Sequence, residues 1–502
     1  MHAIDTLNRT GVPSAVEFNV ATGTDPVGRW EFAEASGAAL DSEPAGGNSD
    51  ATLTGDATRT DRGRRGLVTH DENGQALPSP VIDKGLSLNG AGYASTAGPV
   101  LQTGSSYTVA AWARLDAGDR NYTVVSQDPR MTSDGWYSAF YLTYRADSKT
   151  WELRTSPKDA TDGNISYQIV KAKRPATIGA WTHLAAVYDN TTKQIKLYVN
   201  GENQGSYTVA PSWTSTGRFQ IGQAWWRGAY GDYWKGQIDE VTAWQRALAP
   251  SEILKDARLA LRGSGFQAGE LVADWTATGA SGTTVTDSSG YGQALALEGQ
   301  PAITAEGIVL DGSNDAGTTS RPLVDDTGSF TVAADVALNP SELMKKGVGY
   351  VGQVAGQQAA NGSSWSLSFK VTGTQTKPNE DDPMTGTEVP VGVWQFTRFH
   401  ADGTFQTVQS NPAEAEPTAV TMVAIFDAQA RKISLRRGME TVEAALPATA
   451  QPPLTAGTDQ FALGKQRTGG AWTNYLPATF SQARVWAGAM DNDQQLAEQL
   501  AS

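Results

Sequence analysis

The run Gln223-Ala-Trp225-Trp226-Arg227-Gly-Ala-Tyr230-Gly-Asp232-Tyr233-Trp234 sets five aromatic rings among ten residues, between glycines and charges. It lacks the strict alternation of a half-buried strand. Exposed aromatic rings offer flat apolar faces on which the C–H faces of sugars stack, while nearby polar groups fix the hydroxyls. The expected ligand-binding set is therefore Trp225, Trp226, Arg227, Tyr230, Asp232, Tyr233, Trp234 and Gln223. Trp136 and Tyr137, in Asp134-Gly-Trp-Tyr, offer a second wall. The competing reading of the same rings is packing, against the end of a domain or against a neighbouring one.

Signs of catalysis are sparse. A glycosidase needs two carboxylates roughly 5–10 Å apart. The clearest acidic pair in a strand pattern is Asp239-Glu240, and adjacent side chains of a regular strand point to opposite faces. There is no Gly-x-Ser-x-Gly elbow and no phosphate loop. His183, in an apolar alternating context, reads as a strand histidine. The chain has no cysteine, which removes thiolate chemistry and disulfides, and only four histidines, which leaves little for a histidine-built zinc site. The expectation is that it is not an enzyme.

The elements that position these residues read as β throughout. Short alternating runs such as Tyr107–Leu115, Trp181–Tyr188 and Gln194–Val199 recur between turns rich in Gly, Asp, Asn and Ser. They predict an all-β, antiparallel sandwich. One segment, 250–260, carries helical spacing, with Ser251 as its expected N-cap and Ile253, Leu254 and Ala257 on one face. Trp30, Trp112, Trp181 and Trp244 sit within strand patterns and read as core. Trp181, Leu184 and Val187 do not share one parity, which predicts a bulge or twist in their strand.

At 502 residues the chain is long enough for several domains, and an internal repeat sets the number. Trp30-Glu-Phe matches Trp275-Thr-Ala, Ser106-Tyr-Thr-Val-Ala-Ala matches Ser329-Phe-Thr-Val-Ala-Ala, Val187-Tyr-Asp matches Ile425-Phe-Asp, and Phe219-Gln-Ile-Gly matches Phe461-Ala-Leu-Gly. Trp244 pairs with Trp486. The order is kept throughout, so two copies of one module are expected, at 28–262 and 263–502, with the boundary in Arg262-Gly-Ser-Gly-Phe266. So short a linker implies modules that touch. Residues 1–27 belong to neither copy; they read as the last strand of an upstream β domain, a strand added to the first module, or a simple tail. The formal net charge of −14 argues against a nucleic-acid partner. No apolar run approaches the ~18 residues of a membrane span. The opening Met-His-Ala-Ile-Asp has neither a basic nor an apolar region, so no signal peptide is expected; the alternatives are a cytosolic protein or a piece of a longer secreted chain.

Four motifs carry a family resemblance: Trp30-x-Phe followed by Asn48-x-Asp-Ala-Thr-Leu-Thr-Gly55; Leu86-Ser-Leu-Asn-Gly-Ala-Gly-Tyr93; Trp181-x-His-Leu-Ala-Ala-Val-Tyr-Asp189 running into Leu197-Tyr-Val-Asn-Gly201; and Gly236-Gln-Ile-Asp-Glu-Val-x-Ala-Trp-x-Arg-Ala-Leu-Ala-Pro-Ser-Glu-Ile253. Together they resemble the laminin-G-like, concanavalin A-like jelly-roll family, in the version common in large secreted actinobacterial proteins. The second copy keeps the alternation but departs from the motifs: Phe480-Ser-Gln-Ala-Arg-Val-Trp lacks the Asp-Glu pair. The resemblance implies two tandem jelly rolls, the second degenerate. It also implies one calcium at a sheet edge, for which Asp311 and Asp315, in Asp311-Gly-Ser-Asn-Asp315, are the expected ligands. The implied function is a non-catalytic carbohydrate-binding or adhesive pair within a larger secreted or cell-surface protein, with a glycan or cell-surface polysaccharide as partner. The alternative is a spacer or docking platform for a protein partner in an extracellular assembly.

Overall fold

The computed structural model describes residues 25–43, 48–71, 73–132, 134–210, 212–260, 266–378, 386–446 and 453–501. Most of the 1–27 segment and most of the expected module boundary lie outside these residues.

The chain forms two tandem antiparallel jelly-roll sandwiches. In the first, one sheet runs in the order Glu202–Thr208, Gln194–Val199, Trp181–Asp189, Tyr107–Leu115, Lys235–Trp244, Gly85–Asn89, Thr58–Thr60, with Gly28–Trp30 also on Lys235–Trp244. The facing sheet runs Gln168–Lys171, Thr150–Thr155, Phe140–Arg145, Tyr122–Gln127, Phe219–Ile221, Tyr93–Thr96, Ala51–Thr54. The second sandwich repeats the first sheet, with Val420–Asp427, Phe330–Leu338 and Pro477–Ala487 at its centre. The repeated motifs occupy matching places. Trp30 stacks on Phe219 at 5.3 Å and Trp275 on Phe461 at 5.4 Å. The two indole N–H groups donate to Ser49 and Gln293 carbonyls, at 3.0 and 2.8 Å.

Alternation places the core. Tyr107, Val109, Ala111, Ala113 and Leu115 face the facing sheet, as do Leu184, Ala186 and Tyr188 of the neighbouring strand. The opposite parity is buried too. Ala110, Ala185, Val187 and Trp244 pack under the helix Pro250–Arg258 through Ile253. Trp112 and Trp181 pack into the second sandwich. The expected bulge near Trp181 is therefore absent: Trp181 to Tyr188 pairs in unbroken register with Arg114 to Tyr107. The mixed parity arises because both faces of this sheet are covered.

The helix begins one step before the expected cap. Its N-cap is Ala249, with Pro250 at the first helical position, where a missing N–H costs nothing. Glu252 reaches back to accept the Ala249 N–H at 2.9 Å, so Ser251 lies inside the helix. Among the described residues, helices Pro340–Lys346 and Asp493–Ala501 complete the helical content beside one 3-10 turn, and no described helix is long and apolar enough to cross a membrane.

The two sandwiches are joined by a buried polar seam. The Trp181 indole N–H donates to Tyr291 Oη at 3.0 Å, and Tyr291 O–H donates to Glu270 at 2.8 Å. Thr182 donates to Asp325 at 3.1 Å, and Asn200 Nδ2 to Thr327 at 2.8 Å. The Arg64 guanidinium lies 3.9 Å from the ring centre of Trp112.

Candidate functional site

The site is built on the outer face of the second sheet. In Phe140–Arg145, Phe140, Leu142 and Tyr144 enter the core, so Tyr141, Thr143 and Arg145 face away from it. In Thr150–Thr155, Trp151 and Leu153 enter the core, and Glu152 and Arg154 face away. The hairpin register sets Tyr141 opposite Arg154 and Thr143 opposite Glu152.

The aromatic run closes over this face as a small hairpin. Ala224–Trp226 pairs with Ala229–Gly231. Its two tip residues, Arg227 and Gly228, both have positive φ, 52° and 80°. That is the tight turn whose second position glycine fills without strain. Trp225 anchors the hairpin: its backbone N–H donates to Ser138 Oγ at 3.1 Å, its carbonyl accepts from Tyr141 O–H at 2.8 Å, and its indole N–H donates to the Gly135 carbonyl at 2.6 Å. The Tyr230 ring meets Trp225 edge-on at 4.7 Å, and its hydroxyl donates to Asp128 at 2.7 Å. Burial pushes the Asp128 carboxyl up to about 6, against the bonds from Tyr230 and Gln220 and the charge of Arg218.

Between hairpin and sheet lies a pocket of about 230 Å3, lined by Asn121, Tyr141, Thr143, Arg145, Arg154, Tyr167, Trp226 and Asp232. Trp226, 47% exposed, forms its apolar wall. Asp232 lies 4.0 Å from Arg145. Burial raises its carboxyl above the usual range, and Arg145, Arg154 and Arg120 oppose that rise. Burial likewise pushes the Tyr167 hydroxyl up to about 12 and the Tyr141 hydroxyl well above its ordinary value, so both remain neutral hydrogen-bonding groups near neutral pH.

The structure thus divides the eight expected residues. Trp226 and Asp232 line the pocket. Arg227 is exposed beside Trp226, its guanidinium 4.6 Å from the ring centre. Trp225 and Tyr230 anchor the hairpin, and Tyr233 lies half-buried beside Tyr93. Gln223 and Trp234 are wholly buried, which corrects the expectation of an exposed stacking surface at Trp234. Its ring stacks on Trp151 at 6.2 Å inside the core. Tyr137, expected as part of a second wall, is buried against Tyr167. Arg145, Arg154, Tyr141 and Tyr167 are not among the expected residues; for the first three the available signal is outward parity beside core residues, and Tyr167, which precedes strand Gln168–Lys171, carries none.

The acidic residues also fall differently. Strand Lys235–Trp244 shifts register between Asp239 and Thr242, and Glu240 has φ 51°. This bulge brings Asp239 and Glu240 together rather than apart: with Asp83, each offers a carboxylate oxygen within 4.8 Å of the others. Among the described residues this is the one acidic group close enough to share a metal ion. Arg65 already binds Glu240 through two nitrogens, one at 2.9 Å, and the backbone N–H groups of Arg64 and Arg65 cap Asp239 and Asp83. Burial pushes Asp83 up to about 7 and Asp239 well above its ordinary range. Asp311 and Asp315 form no such group. Asp311 Oδ1 accepts the backbone N–H groups of Ser313, Asn314 and Asp315, and the two oxygens of Asp315 accept those of Gln300 and Asp311. Their carboxylates are engaged in capping their own turn.

Residues 88–254 match the family model Laminin_G_3, of the concanavalin A-like lectin/glucanases superfamily. No curated protein matches the chain in sequence. Among solved structures, domain 4 of AbnA, a GH43 extracellular arabinanase from Geobacillus stearothermophilus, in complex with arabinotriose, is 21% identical; the match covers 46% of this chain and 98% of that one, with a TM-score of 0.30. The Ruminococcus gnavus IT-sialidase CBM40 bound to α2,3 sialyllactose is 15% identical, covering 30% and 82%, with a TM-score of 0.26. The botulinum neurotoxin type G receptor binding domain is 10% identical, covering 82% and 85%, with a TM-score of 0.37.

Proposed function

We propose that the chain is a non-catalytic carbohydrate-binding pair, part of a larger secreted or cell-surface protein. The first module binds a glycan in the pocket beside Trp226, and the second serves as its mount. The observation that carries this reading is one exposed indole standing over a pocket whose remaining lining is hydrogen-bonding. An apolar wall with a few convergent polar groups is the usual make-up of a small-ligand site.

Among the described residues, the second module offers no equivalent. The matching hairpin, Gln466–Thr468 with Ala471–Thr473, has Thr468 where the first has Trp226. Its Trp472 is capped by Lys465 and Arg467, at 3.8 and 4.6 Å. The outward positions beneath it, Ser364, Ser366, Ser368, Gln395 and Thr397, include no arginine. Ten of the fifteen tryptophans lie in the first copy.

The non-catalytic reading rests on the carboxylates. Asp232 is the pocket's sole acidic lining residue. Glu152 is buried and shared by Arg154 and Lys171 at 3.0 and 3.2 Å. The Asp83 group is buried and bridged by Arg65, so no free pair flanks the pocket.

The test is Trp226→Ala in the full chain, measured on a polysaccharide array and by calorimetry. Binding should weaken about tenfold or more, equivalent to ~1.4 kcal/mol, with the melting temperature unchanged. Trp234→Ala should instead cost about 3–5 kcal/mol of stability, as a core truncation. Equal binding by Trp226→Ala and the parent would remove the site and leave the docking-platform reading.

A further inference from the structure

The charges of the pocket specify more than a glycan. Its charged lining is two arginines and one aspartate, in a chain whose net charge is −14. Arg145 has two counter-ions, both beyond hydrogen-bond distance. Its Nε lies 3.7 Å from Asp147 and a terminal nitrogen 4.0 Å from Asp232, and the Nε makes no hydrogen bond. Neither carboxylate closes a hydrogen bond on the guanidinium, which leaves its terminal nitrogens to take a planar acceptor in the pocket.

Arg154 is fixed differently. Its Nε donates to Glu152 at 3.0 Å, and its guanidinium carbon lies 5.1 Å from the ring centre of Tyr167. Lys171 and Ser148 share the same carboxylate, at 3.2 and 3.1 Å. Glu152 is thus spent on three donors, and its charge is balanced before the pocket is reached. The two guanidinium groups lie on adjacent paired strands, within one pocket smaller than the roughly 300–1,000 Å3 of drug-sized sites. That volume suits a single sugar unit rather than a length of chain.

From this we infer that the sugar unit seated beside Trp226 carries a carboxylate, which Arg145 and Arg154 bind while Asp232, Asn121 and Thr143 take hydroxyls. This deepens the glycan-binding reading and rests on it. A planar carboxylate matches the fork of a guanidinium through paired, charge-assisted hydrogen bonds, which a neutral sugar cannot offer. Asp232 does not cancel the effect, because it leaves the lining one positive charge in excess and lies among Arg145, Arg154 and Arg120.

The experiment applies the full chain to an array of matched pairs: polygalacturonate and its methyl ester, alginate and hyaluronan with their carboxyl-reduced forms, and sialylated against unsialylated lactose. Dextran sulfate, arabinan and xylan complete it. At least one acidic member should bind tenfold or more tighter than its neutral partner. Arg145→Gln and Arg154→Gln should each erase most of that preference, with melting temperatures as in the parent. Arg145→Lys, which keeps the charge and loses the fork, should retain only part of it, and it serves if the glutamine variant fails to fold. Equal binding of acidic and neutral partners, lost in Trp226→Ala, would overturn the carboxylate and leave the glycan site standing. A preference for dextran sulfate that survives Arg145→Gln would reduce the effect to unspecific charge. No binding to any member would overturn the carboxylate and the glycan reading together.

Discussion

Trp226 and Trp234 lie eight residues apart in one aromatic run and have opposite fates. The difference is the element each belongs to. Trp234 precedes strand Lys235–Trp244 and shares the inward face of Ile238, whereas Trp226 ends a short strand of a hairpin raised off the sheet. The acidic turn shows a second use of one residue type at the same scale. Asp311 has the composition of a cation ligand, yet its Oδ1 caps three backbone N–H groups, the shortest at 2.7 Å. Burial works against its ionisation, but those donors and Lys346 outweigh it and hold the carboxyl below its usual range. Asp311→Ala should therefore cost about 1–2 kcal/mol, as losing a side-chain cap does. The loss should be the same with and without excess chelator in thermal melts. A gap between variant and parent that chelator abolishes would place a cation in the turn. The run 223–234 was legible as a candidate site because aromatics outside an alternating strand are conspicuous. Arg145 and Arg154 were not, because two outward arginines nine residues apart read as solvated charges until the folded sheet and hairpin set both on the wall of one pocket.

The hairpin 224–231 is an element with little core of its own, held by Trp225 and by the Tyr230–Asp128 bond. Asp128 links it to pH. Its folded carboxyl lies at about 6, above the ~3.9 of an unfolded aspartate, with burial the main cause. The folded state therefore binds more protons between these values. The contribution to stability is fully present below about pH 4 and is lost as pH rises to about 6, by on the order of 2–3 kcal/mol. Asp128→Asn keeps an oxygen for Tyr230 and removes this titration. In urea melts across pH 4 to 7, the variant should gain on the parent by that amount as pH rises; a gap independent of pH would mean Asp128 titrates normally. The strands themselves were legible from alternation, and the helix from its spacing. The bulge at Asp239–Thr242 was not, because it depends on Glu240 holding a left-handed backbone, φ 51°, that no glycine announces. What sustains that backbone is the burial of its carboxylate against Arg65.

At the scale of the whole molecule, the first sandwich completes its outer face with the second. Trp181 belongs by chain to the first module and by packing to the core cluster of the second, beside Tyr291, Leu323 and Val324. Around it run the Arg258–Asp427 ion pair at 2.9 Å and the Asn200–Thr327 bond. The repeat in the sequence made two modules legible, but not this seam, because inward and outward tryptophans of one strand pattern look alike. Interfaces between domains of one chain are by default small and polar enough to permit relative motion. A seam that buries two tryptophans and a tyrosine instead makes the unfolding of one module expose the core of the other. The parent should therefore melt as one calorimetric transition, with equal calorimetric and van't Hoff enthalpies. Trp181→Ala removes the ring that spans both cores, at a cost of about 3–5 kcal/mol by analogy with other core truncations. It should split the melt into two transitions while leaving the pocket beside Trp226 able to bind. Two independent transitions already present in the parent would mean the modules are merely adjacent, and the second would lose its role as a mount.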